Sequence, residues 1–391
     1  MSVLDEAKKL CKEYQNDKLA VVASVSPHYE RLKSDAFGLL YPSYGGMPLG
    51  RIITYAGLQS SGKTTAAAKV VSDYQRAFPD KTCVYYDLEH TFDKVFQSRM
   101  TGIQLDKLVL MDDTACMTGE QILDSVLRFQ QQDDIGAIVI DSIPALLPAA
   151  VLENDMEKDS GMRGTIAKKL YPFLGVMNSL LREKQNILIL VNQVRIAGTT
   201  FTGAPIYKEP GGAAPDYYSS IKLRFGTRKF IKGDKNDSTD GEGADGFRLN
   251  YVFTKNKCSP IARGGGFMSF NYSTGFMWLD DLFEIATKFD FIHRLNNVTY
   301  QLINLETGEI YKDETGKDLQ GKKKDLEEYI KTNIPFQTKY IEMLTNYIQD
   351  HATTYGDILD ARDKEEIKEQ EESIETGGRS KKKKDKEDAI N

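Results

Sequence analysis

The chain is 391 residues long, 28% of its residues are charged, 40% are hydrophobic, and its formal net charge is -6. A chain of this length can bury a large core, and we expect one main domain with smaller attachments. The negative net charge excludes a global positive field, so any binding of nucleic acid must depend on local patches and loops.

The cysteines and the N-terminal residues bear on the cellular compartment. The four cysteines do not have C-x-x-C spacing, which argues against a zinc site and a disulfide framework and favours a reducing compartment. The N-terminal residues include Asp5 and Glu6 and no apolar segment typical of a signal peptide. Because no stretch is long and apolar enough to span a bilayer, the sequence predicts a soluble cytoplasmic protein with no membrane partner.

The first predicted elements are a helix and a separate strand. A partial apolar stripe with helical spacing predicts a short helix over residues 1–18. The apolar run at 19–25 predicts a lone strand. Such a strand either joins the sheet of its own chain or pairs with the edge of a neighbouring subunit, and the residues leave both alternatives open.

Strands and helices then alternate along the core. This alternation predicts an α/β fold with a mainly parallel sheet and helices on both faces. In such sheets ligands bind beyond the carboxyl ends of the strands. The predicted strands are 51–56, 82–86, 107–111, 136–140, 187–191 and 220–225, and the predicted helices are 63–77, 91–99, 118–131 and 165–184.

The glycine-rich turn from Gly57 to Thr64 is the strongest single motif. It has the pattern G-x-x-x-x-G-K-T between a β-branched strand and an alanine-rich helix, the context of a phosphate-binding loop. Unpaired N–H groups at a helix start, together with the helix dipole, favour a polyphosphate. Lys63 is expected to reach the β and γ phosphates, and the Thr64 hydroxyl to hold Mg²⁺. The predicted nucleotide contacts are Gly57, Gln59, Ser60, Ser61, Gly62, Lys63, Thr64 and Thr65.

Polar side chains at three neighbouring strand ends complete the predicted site. Asp141 ends an apolar strand, where a carboxylate can hold a magnesium-bound water opposite the phosphate loop. Glu89 follows another strand and is the candidate base that orients water, or else a surface acid at a strand–helix junction. Gln193 is an amide able to detect the γ-phosphate, or else a polar cap of its strand.

Two long polar segments, 152–164 and 196–213, follow strands at the same edge of the sheet. Long loops in this position are usually functional. Flanking cations and Phe201 could bind a phosphate backbone and stack on bases. The basic stretch 222–232 is more simply a solvated face. The polar segment 233–246 lacks the spacing of a calcium-binding loop, so we expect a solvated hairpin-like loop.

The pattern changes near the C-terminal end. Strands near 247–255 and 267–272 are followed by a small α+β unit with a helix at 282–289, a hairpin at 299–311 and a helix at 323–348. Beyond residue 355 the chain is rich in Glu and Lys and has the composition of a disordered tail.

Several of these motifs together resemble the RecA recombinase family. They are GGMPLGRI before the phosphate loop, the loop itself, DLEH at 87–90, Asp141-Ser142, and NQVR at 192–195. The resemblance covers residues 1–350, and within the family it is most similar to phage strand-exchange proteins. It implies a polymerisation arm at 1–34, a RecA-type P-loop ATPase core at 35–282, a small C-terminal α+β domain at 283–352 and a charged tail at 353–391.

The resemblance also implies roles for individual residues. Glu89 matches the glutamate that activates the attacking water, and Gln193 the glutamine that couples the γ-phosphate to DNA binding. Further matches are Asp93 and Phe96 at the adenine, Lys255 and Lys257 at the neighbour's nucleotide, and Tyr217 at the subunit interface. The segments 152–164 and 196–213 match the two DNA-binding loops, with contacts at Arg163, Gly164, Lys168, Lys169, Arg195, Thr199, Thr200, Phe201, Gly211 and Gly212. The sequence departs from the family in an acidic first loop and in Pro210.

The implied function is an ATP- and Mg²⁺-dependent recombinase. It would form helical filaments on single-stranded DNA, pair with double-stranded DNA and exchange strands, in the host cytoplasm if phage-encoded. A single-stranded-DNA-binding protein and a loader are the further partners that the family implies. Two alternatives remain: a ring helicase or motor on the same core, and a non-hydrolysing recombination mediator.

Overall fold

A large mixed sheet carries most of the strands in the computed structural model. The structure describes residues 3–13, 30–36, 46–114, 116–149, 165–199, 205–232, 235–238, 243–258, 264–304 and 307–350. The chain divides into two units, Met1–Glu30 with helix α1 (Val3–Glu13) and Arg31–Asn391 with all other described elements. The strand predicted at 19–25, the first loop at 152–164 and the tail lie outside the described residues.

The second unit alternates strands and helices before a C-terminal group of short strands. Its helices are α2 (Lys63–Ala77), α3 (Lys94–Thr101), α4 (Gly119–Gln130), α5 (Thr165–Lys184), α6 (Ala214–Tyr218), α7 (Trp278–Lys288), α8 (Lys323–Thr332) and α9 (Ile334–Asp350). Its strands are β1 (Arg31–Leu32), β2 (Met47–Pro48), β3 (Arg51–Gly57), β4 (Thr82–Asp87), β5 (Leu108–Met111), β6 (Ile135–Asp141), β7 (Ile187–Gln193), β8 (Arg195–Thr199), β9 (Pro205–Lys208), β10 (Ile221–Phe225), β11 (Lys229–Lys232), β12 (Lys235–Ser238), β13 (Gly246–Asn256), β14 (Gly265–Asn271), β15 (Gly275–Phe276), β16 (Ile292–Arg294), β17 (Thr299–Asn304), β18 (Glu309–Ile310) and β19 (Gln320–Lys322).

The strand order of the main sheet is β12-β11-β13-β10-β3-β7-β6-β4-β5, with β14 paired to β13. The six strands from β10 to β5 are parallel, whereas β13 pairs antiparallel with β10, β11 and β14. Register aligns Gly57 with Gln193 and Asp87 with Asp141. The carboxyl ends of β3, β7, β6 and β4 therefore meet at one edge, and the predicted α/β fold is confirmed.

Two separate apolar clusters cover the two faces of the parallel strands. One includes Ile53 and Val139 with Ala66 and Val70 of α2. The other includes Ile52 and Ile138, with α4 and α5 supplying residues such as Val126 and Leu174. Strands buried on both faces need continuous apolar sequence, which is the pattern that predicted them. Within the described residues, no helix is long and apolar enough to span a bilayer.

The structure differs from the sequence prediction at two segments. The helix predicted over 323–348 is two helices, because Pro335 has no N–H and its ring would clash with the carbonyl one turn earlier. Asn333 Oδ1 accepts a hydrogen bond from the Phe336 N–H at 3.1 Å, which caps the second helix. The segment 196–213, predicted to lack regular structure, contains the antiparallel pair β8 and β9.

The C-terminal α+β unit shares a core with the main sheet. Its short antiparallel sheet has the order β16-β17-β18, with β19 also paired to β17. One apolar cluster joins Leu282 and Phe283 of α7, Leu302 of β17 and Leu344 of α9 to Phe267 of β14. Helix α7 therefore lies between the two sheets and packs on both.

Asp281 is a buried carboxyl group in the first turn of α7. Its side chain is 0% exposed, and Oδ2 accepts a hydrogen bond from the Ser269 N–H at 3.1 Å. Among the residues that the structure describes, none forms a hydrogen bond with Oδ1. Burial raises the pKa of Asp281 to about 8, although the Arg248 guanidinium opposes this shift. Burial therefore favours the neutral carboxylic acid in the folded protein.

This burial makes stability depend on pH. The pKa of Asp281 is higher in the folded than in the unfolded chain, so its contribution is full below the ordinary value of 3.8 and is lost as pH rises to about 8. We expect Asp281→Asn to flatten the fall in unfolding free energy between these limits, since an amide does not ionise. Urea unfolding followed by circular dichroism at several pH values measures this. Parallel profiles for the variant and the wild type would contradict it.

A second buried charge cluster ties the segment before β2 to α2. Lys69, which is 1% exposed, contacts Asp35 at 2.5 Å and also pairs with the buried Asp73. Arg76 joins the same two carboxylates, at 3.0 Å from Asp35. The pKa of Asp35 falls to about 2 because Lys69 and Arg76 together outweigh the effect of its burial.

Removal of the buried cation should destabilise the fold. Lys69→Met leaves Asp73 buried beside Asp35, with the half-exposed Arg76 as the remaining cation of the cluster. Breaking a buried pair from one side costs about 3–5 kcal/mol. The matched control is Lys94→Met, which removes a solvent-exposed ion pair to Asp112 and should shift the urea midpoint far less. Equal effects of the two substitutions on urea midpoints would count against a structural role for the cluster.

Candidate functional site

The phosphate loop lies against β10 and β13, which leave no room for side chains at its two glycines. A Cβ on Gly57 would lie 2.7 Å from Ser61 Oγ and 3.0 Å from the Phe225 carbonyl. Gly62 has φ of 85°, and its Cβ would lie 2.3 Å from a methyl group of Leu249. The backbone of the loop is therefore pressed onto the sheet, with Gln59 and Ser60 exposed above it and Thr65 buried in α2.

Lys63 is a buried cation at the start of α2. It is 7% exposed, and Nζ donates to the Leu58 carbonyl at 2.7 Å and to Ser61 Oγ at 3.3 Å. Within the described residues it forms no ion pair, and burial lowers its pKa, although Asp141 and Glu89 oppose the shift. In the described part of the chain, no side chain caps the N-terminus of α2. A buried ammonium beside uncapped N–H groups fits a bound polyphosphate.

Asp141 lies directly opposite the loop, as predicted from its strand end. Its Oδ2 accepts hydrogen bonds from Thr64 Oγ1 at 2.7 Å and from the Tyr85 hydroxyl at 2.7 Å. Burial raises the pKa of Asp141 to about 6, while these two hydrogen bonds oppose the shift. No cluster of three His, Cys, Asp or Glu side chains able to hold a metal occurs in the described part of the chain. Thr64 and Asp141 present the oxygen ligands that suit Mg²⁺ beside a phosphate.

Glu89 and Gln193, predicted from separate strands, are in direct contact. Gln193 Nε2 donates to Glu89 Oε1 at 2.6 Å, and the Ser142 hydroxyl donates to the same oxygen. Ser142 and Tyr85 are two site residues to which the sequence analysis assigned no role. Both lie next to predicted residues in the sequence or on the neighbouring strand, but a hydroxyl has no distinctive spacing that would identify it.

Asp93 and Phe96 lie at the start of α3. Asp93 Oδ1 accepts a hydrogen bond from the Phe96 N–H at 2.8 Å and so caps the helix. The Phe96 side chain is half-buried against the core. Contacts of both residues with adenine stay predictions.

The second predicted DNA loop is anchored at both ends. Val194 N–H donates to the Gly57 carbonyl at 3.0 Å, and Asn192 Nδ2 donates to the Pro210 carbonyl at 2.9 Å. Gly211 and Gly212 follow with φ of 93° and 69°. Arg195 is exposed at the start of β8, whose last residue is Thr199, while Lys168 and Lys169 are exposed on α5. Arg163, Gly164, Thr200 and Phe201 lie outside the described residues.

The interpretation of residues 222–232 as a solvated face is wrong for two of its cations. Lys222 and Arg224 are each 7% exposed. Glu209 binds both, with its oxygens 2.7 Å from Lys222 Nζ and 3.0 Å from an Arg224 nitrogen. Because β10 is an interior strand between β3 and β13 and Glu209 contacts it from the end of the second loop, these two cations are buried and need a partner.

Lys255 and Lys257 lie at the opposite end of β10 from the phosphate loop. Lys255 aligns with Lys222, which itself aligns with Thr54, three residues before Gly57. Lys255 Nζ donates to the Tyr217 carbonyl at 3.1 Å. Burial and the neighbouring Lys257 lower the pKa of Lys255 to about 8.

Tyr217 is 63% exposed and forms an aromatic surface with Tyr171 and Tyr218. Its ring centroid lies 6.0 Å from that of Tyr171 and 5.1 Å from that of Tyr218. Tyr171 is itself 50% exposed. Adjacent exposed aromatic rings are typical of a contact surface for another chain.

The parallel sheet, the phosphate loop and the carboxylate opposite it define a P-loop nucleotide-binding protein. Residues 12–276 match the family model described as the RecA N-terminal domain. The chain belongs to the RecA family. It is 31% identical over 250 residues to Protein RecA of Colwellia psychrerythraea, covering 64% of this chain and 68% of that protein. It is also 31% identical over 223 residues to Protein RecA of Chloroflexus aurantiacus, covering 57% of this chain and 59% of the relative.

The packing under the loop predicts the effect of adding one methyl group. Gly62→Ala should weaken nucleotide binding about tenfold or more, because the left-handed conformation costs an alanine about 1–2 kcal/mol and the methyl group strikes Leu249. Gly308→Ala is the matched control, since Gly308 has φ of 72° and a Cβ added there would meet no atom of the described residues within 4 Å. Titration with a fluorescent ADP analogue measures both variants. Unchanged affinity in Gly62→Ala would contradict the contact.

Proposed function

We propose that the chain is an ATP-dependent recombinase that assembles on single-stranded DNA and exchanges strands with a homologous duplex. Within the RecA family, we propose a role like that of the phage strand-exchange protein UvsX, whose order of motifs this chain resembles. The hydrogen bond from Gln193 to Glu89 is the observation that supports this proposal best. It joins a carboxylate at the nucleotide site to the strand end from which the predicted DNA loop begins.

Different residues around the phosphate loop have different roles in nucleotide binding and hydrolysis. The loop N–H groups and Lys63 would bind and orient the phosphates, while Thr64 and, through a water, Asp141 would hold Mg²⁺. ATP supplies the phosphoanhydride bond whose hydrolysis ends the bound state. Glu89, held by Gln193 and Ser142, accepts a proton from the attacking water. Burial of Lys63 and Asp141 strengthens each of these electrostatic contacts.

Gln193 connects the nucleotide site to the predicted DNA-binding loop. It is followed directly by Val194, bonded to Gly57, and by the β8–β9 hairpin. If Gln193 turns from Glu89 toward a terminal phosphate, the start of the hairpin must move with it. Nucleotide and DNA affinities are then coupled, and the coupling is reciprocal.

Self-assembly follows from residues that are far from their own phosphate loop. Through the strand register, the backbone of Lys255 is level with Thr54, which is three residues before Gly57. At roughly 3.3 Å per residue, this separates Lys255 from Gly57 by about 10 Å along the strand direction. We infer that Lys255 and Lys257 serve the nucleotide of a neighbouring subunit, with Tyr217 in the same contact. Head-to-tail contacts of this kind that do not close form a helical filament.

The sheet also offers an edge for strand addition. Within the described residues β5 pairs only with β4, and its Val109 is 37% exposed. We propose that the segment 19–25 of one subunit adds to this edge of the next. A single-stranded-DNA-binding protein and a loader are further partners that the family resemblance supports.

Substitution of the proposed base separates binding from hydrolysis. Glu89→Gln should keep binding of ATP and single-stranded DNA but lower DNA-stimulated ATP hydrolysis by about 100-fold or more, the scale of general base catalysis. The matched control is Glu309→Gln, which changes an exposed glutamate of β18 in the C-terminal unit. A phosphate-release assay measures both. Hydrolysis at the wild-type rate in Glu89→Gln would exclude Glu89 as the base.

Electron microscopy and strand exchange test the function as a whole. With ATP and single-stranded DNA, we expect extended helical filaments and transfer of a strand from a homologous duplex to a single-stranded circle. Lys63→Ala should abolish both. Closed rings would favour a helicase-like motor, and DNA binding with only background ATPase activity would favour a non-hydrolysing mediator.

A further inference from the structure

The segment between β10 and β11 brings one arginine onto the phosphate loop. Arg228 donates two hydrogen bonds to the Ser60 carbonyl, from one terminal nitrogen at 2.9 Å and from Nε at 3.3 Å. The sequence analysis had included this residue only in a basic stretch. Its contact is with the backbone of the loop, so the residue type at position 60 does not determine it.

The guanidinium of Arg228 is held in place from below. It lies over the Phe247 ring at 4.9 Å from the centroid, and Phe247 is 1% exposed and stacks on Phe270. Because Phe247 is fixed in the core, the plane and position of the guanidinium are restricted. Phe247 belongs to β13, the strand whose Leu249 supports Gly62. One strand therefore supports the loop twice, directly at Gly62 and through Arg228 at Ser60.

Holding the Ser60 carbonyl also orients the next N–H group. The Ser60–Ser61 peptide unit is planar, so its carbonyl and the Ser61 N–H point in opposite directions. With the carbonyl turned to Arg228, the Ser61 N–H is directed toward the interior of the loop, where it is 3.4 Å from the Leu58 carbonyl. Lys63 Nζ donates to that same carbonyl. Ser60 has φ of 60°, a conformation that serine rarely adopts without outside support.

We propose that Arg228 is a positioning residue of the phosphate loop, which fixes the Ser60–Ser61 peptide and so raises the affinity of the site for nucleoside di- and triphosphates. The proposal rests on the proposed nucleotide site and adds a residue to it. Arg228 acts through the loop backbone, so its loss weakens ADP and ATP alike. The rate of hydrolysis at saturating ATP depends on Glu89 and stays unchanged.

The test is titration of the full-length protein with a fluorescent ADP analogue and Mg²⁺, together with steady-state ATPase kinetics. We expect Arg228→Met to raise the Kd for ADP and the KM for ATP about tenfold, the scale of a charge-assisted hydrogen bond, and to leave kcat within about twofold. Arg228→Lys should recover only part of the affinity, because lysine keeps the charge but not the planar pair of donors.

The chain provides a matched control in Arg294. This arginine also lies over an aromatic ring, Tyr300, at 5.8 Å, and also donates to a backbone carbonyl, that of Asn296, at 3.2 Å. It is in β16 of the C-terminal unit, so Arg294→Met should change neither Kd nor KM. Thermal unfolding of both variants separates loss of affinity from loss of fold.

Phe247→Leu tests whether the ring beneath Arg228 positions the guanidinium. If it does, removing the ring weakens ADP binding, and combining Phe247→Leu with Arg228→Met adds little further. Three outcomes would each overturn the proposal. The first is full affinity in Arg228→Met, and the second is full rescue by Arg228→Lys together with no effect of Phe247→Leu. The third is a fall in kcat at unchanged Kd. Failure of the wild-type protein to bind ADP would instead refute the nucleotide site itself.

Discussion

Every group of the proposed site depends on one constraint, the shared direction of β3, β7, β6 and β4. Parallel strands end at the same edge, and their register aligns Gly57 with Gln193 and Asp87 with Asp141. Residues more than 100 positions apart in sequence, such as Glu89 and Gln193, are therefore within hydrogen-bonding distance. A register shift of one residue in β7 would turn Gln193 to the other face of the sheet and break this contact.

The electrostatics of this edge follow from its burial. Lys63 and Asp141 are both almost fully buried, and each has its pKa shifted toward the neutral form. Neither contacts the other within ion-pair distance in the described structure, so each keeps the capacity to bind an added group of opposite charge. A polyphosphate with Mg²⁺ supplies both charges at once, which is the physical basis of the proposed binding.

The antiparallel half of the sheet has a different part in the molecule. Strand β13 lies beneath the phosphate loop through Leu249 and Phe247 and also pairs with β10, which carries the buried cations Lys222 and Arg224. Its far end carries Lys255, which we propose acts on the next subunit. A single long strand thus contacts the phosphate loop of its own chain and reaches the proposed subunit interface. A movement of this strand at one of these two sites would therefore be transmitted to the other.

Much of the fold was predictable from local sequence. The alternating apolar runs and helix formers gave the parallel strands and α2 to α5, since strands buried on both faces require continuous apolar sequence. The break at Pro335 and the hairpin of β8 and β9 were missed, although Asn333 and Pro335 carried a readable cap and proline signal. The burial of Lys222 and Arg224 was not predictable, because it depends on Glu209 arriving from a separate loop.

The sequence by itself determined the phosphate loop, the acids and amide at the strand ends, and the family, because each is encoded by residue types at fixed local spacing. Only the tertiary structure decided the partners across strands: Gln193 and Ser142 on Glu89, Tyr85 and Thr64 on Asp141, and Arg228 on Ser60. These contacts join segments up to 168 residues apart. They depend on strand order and register, and neither can be predicted from the residue spacing within a single segment.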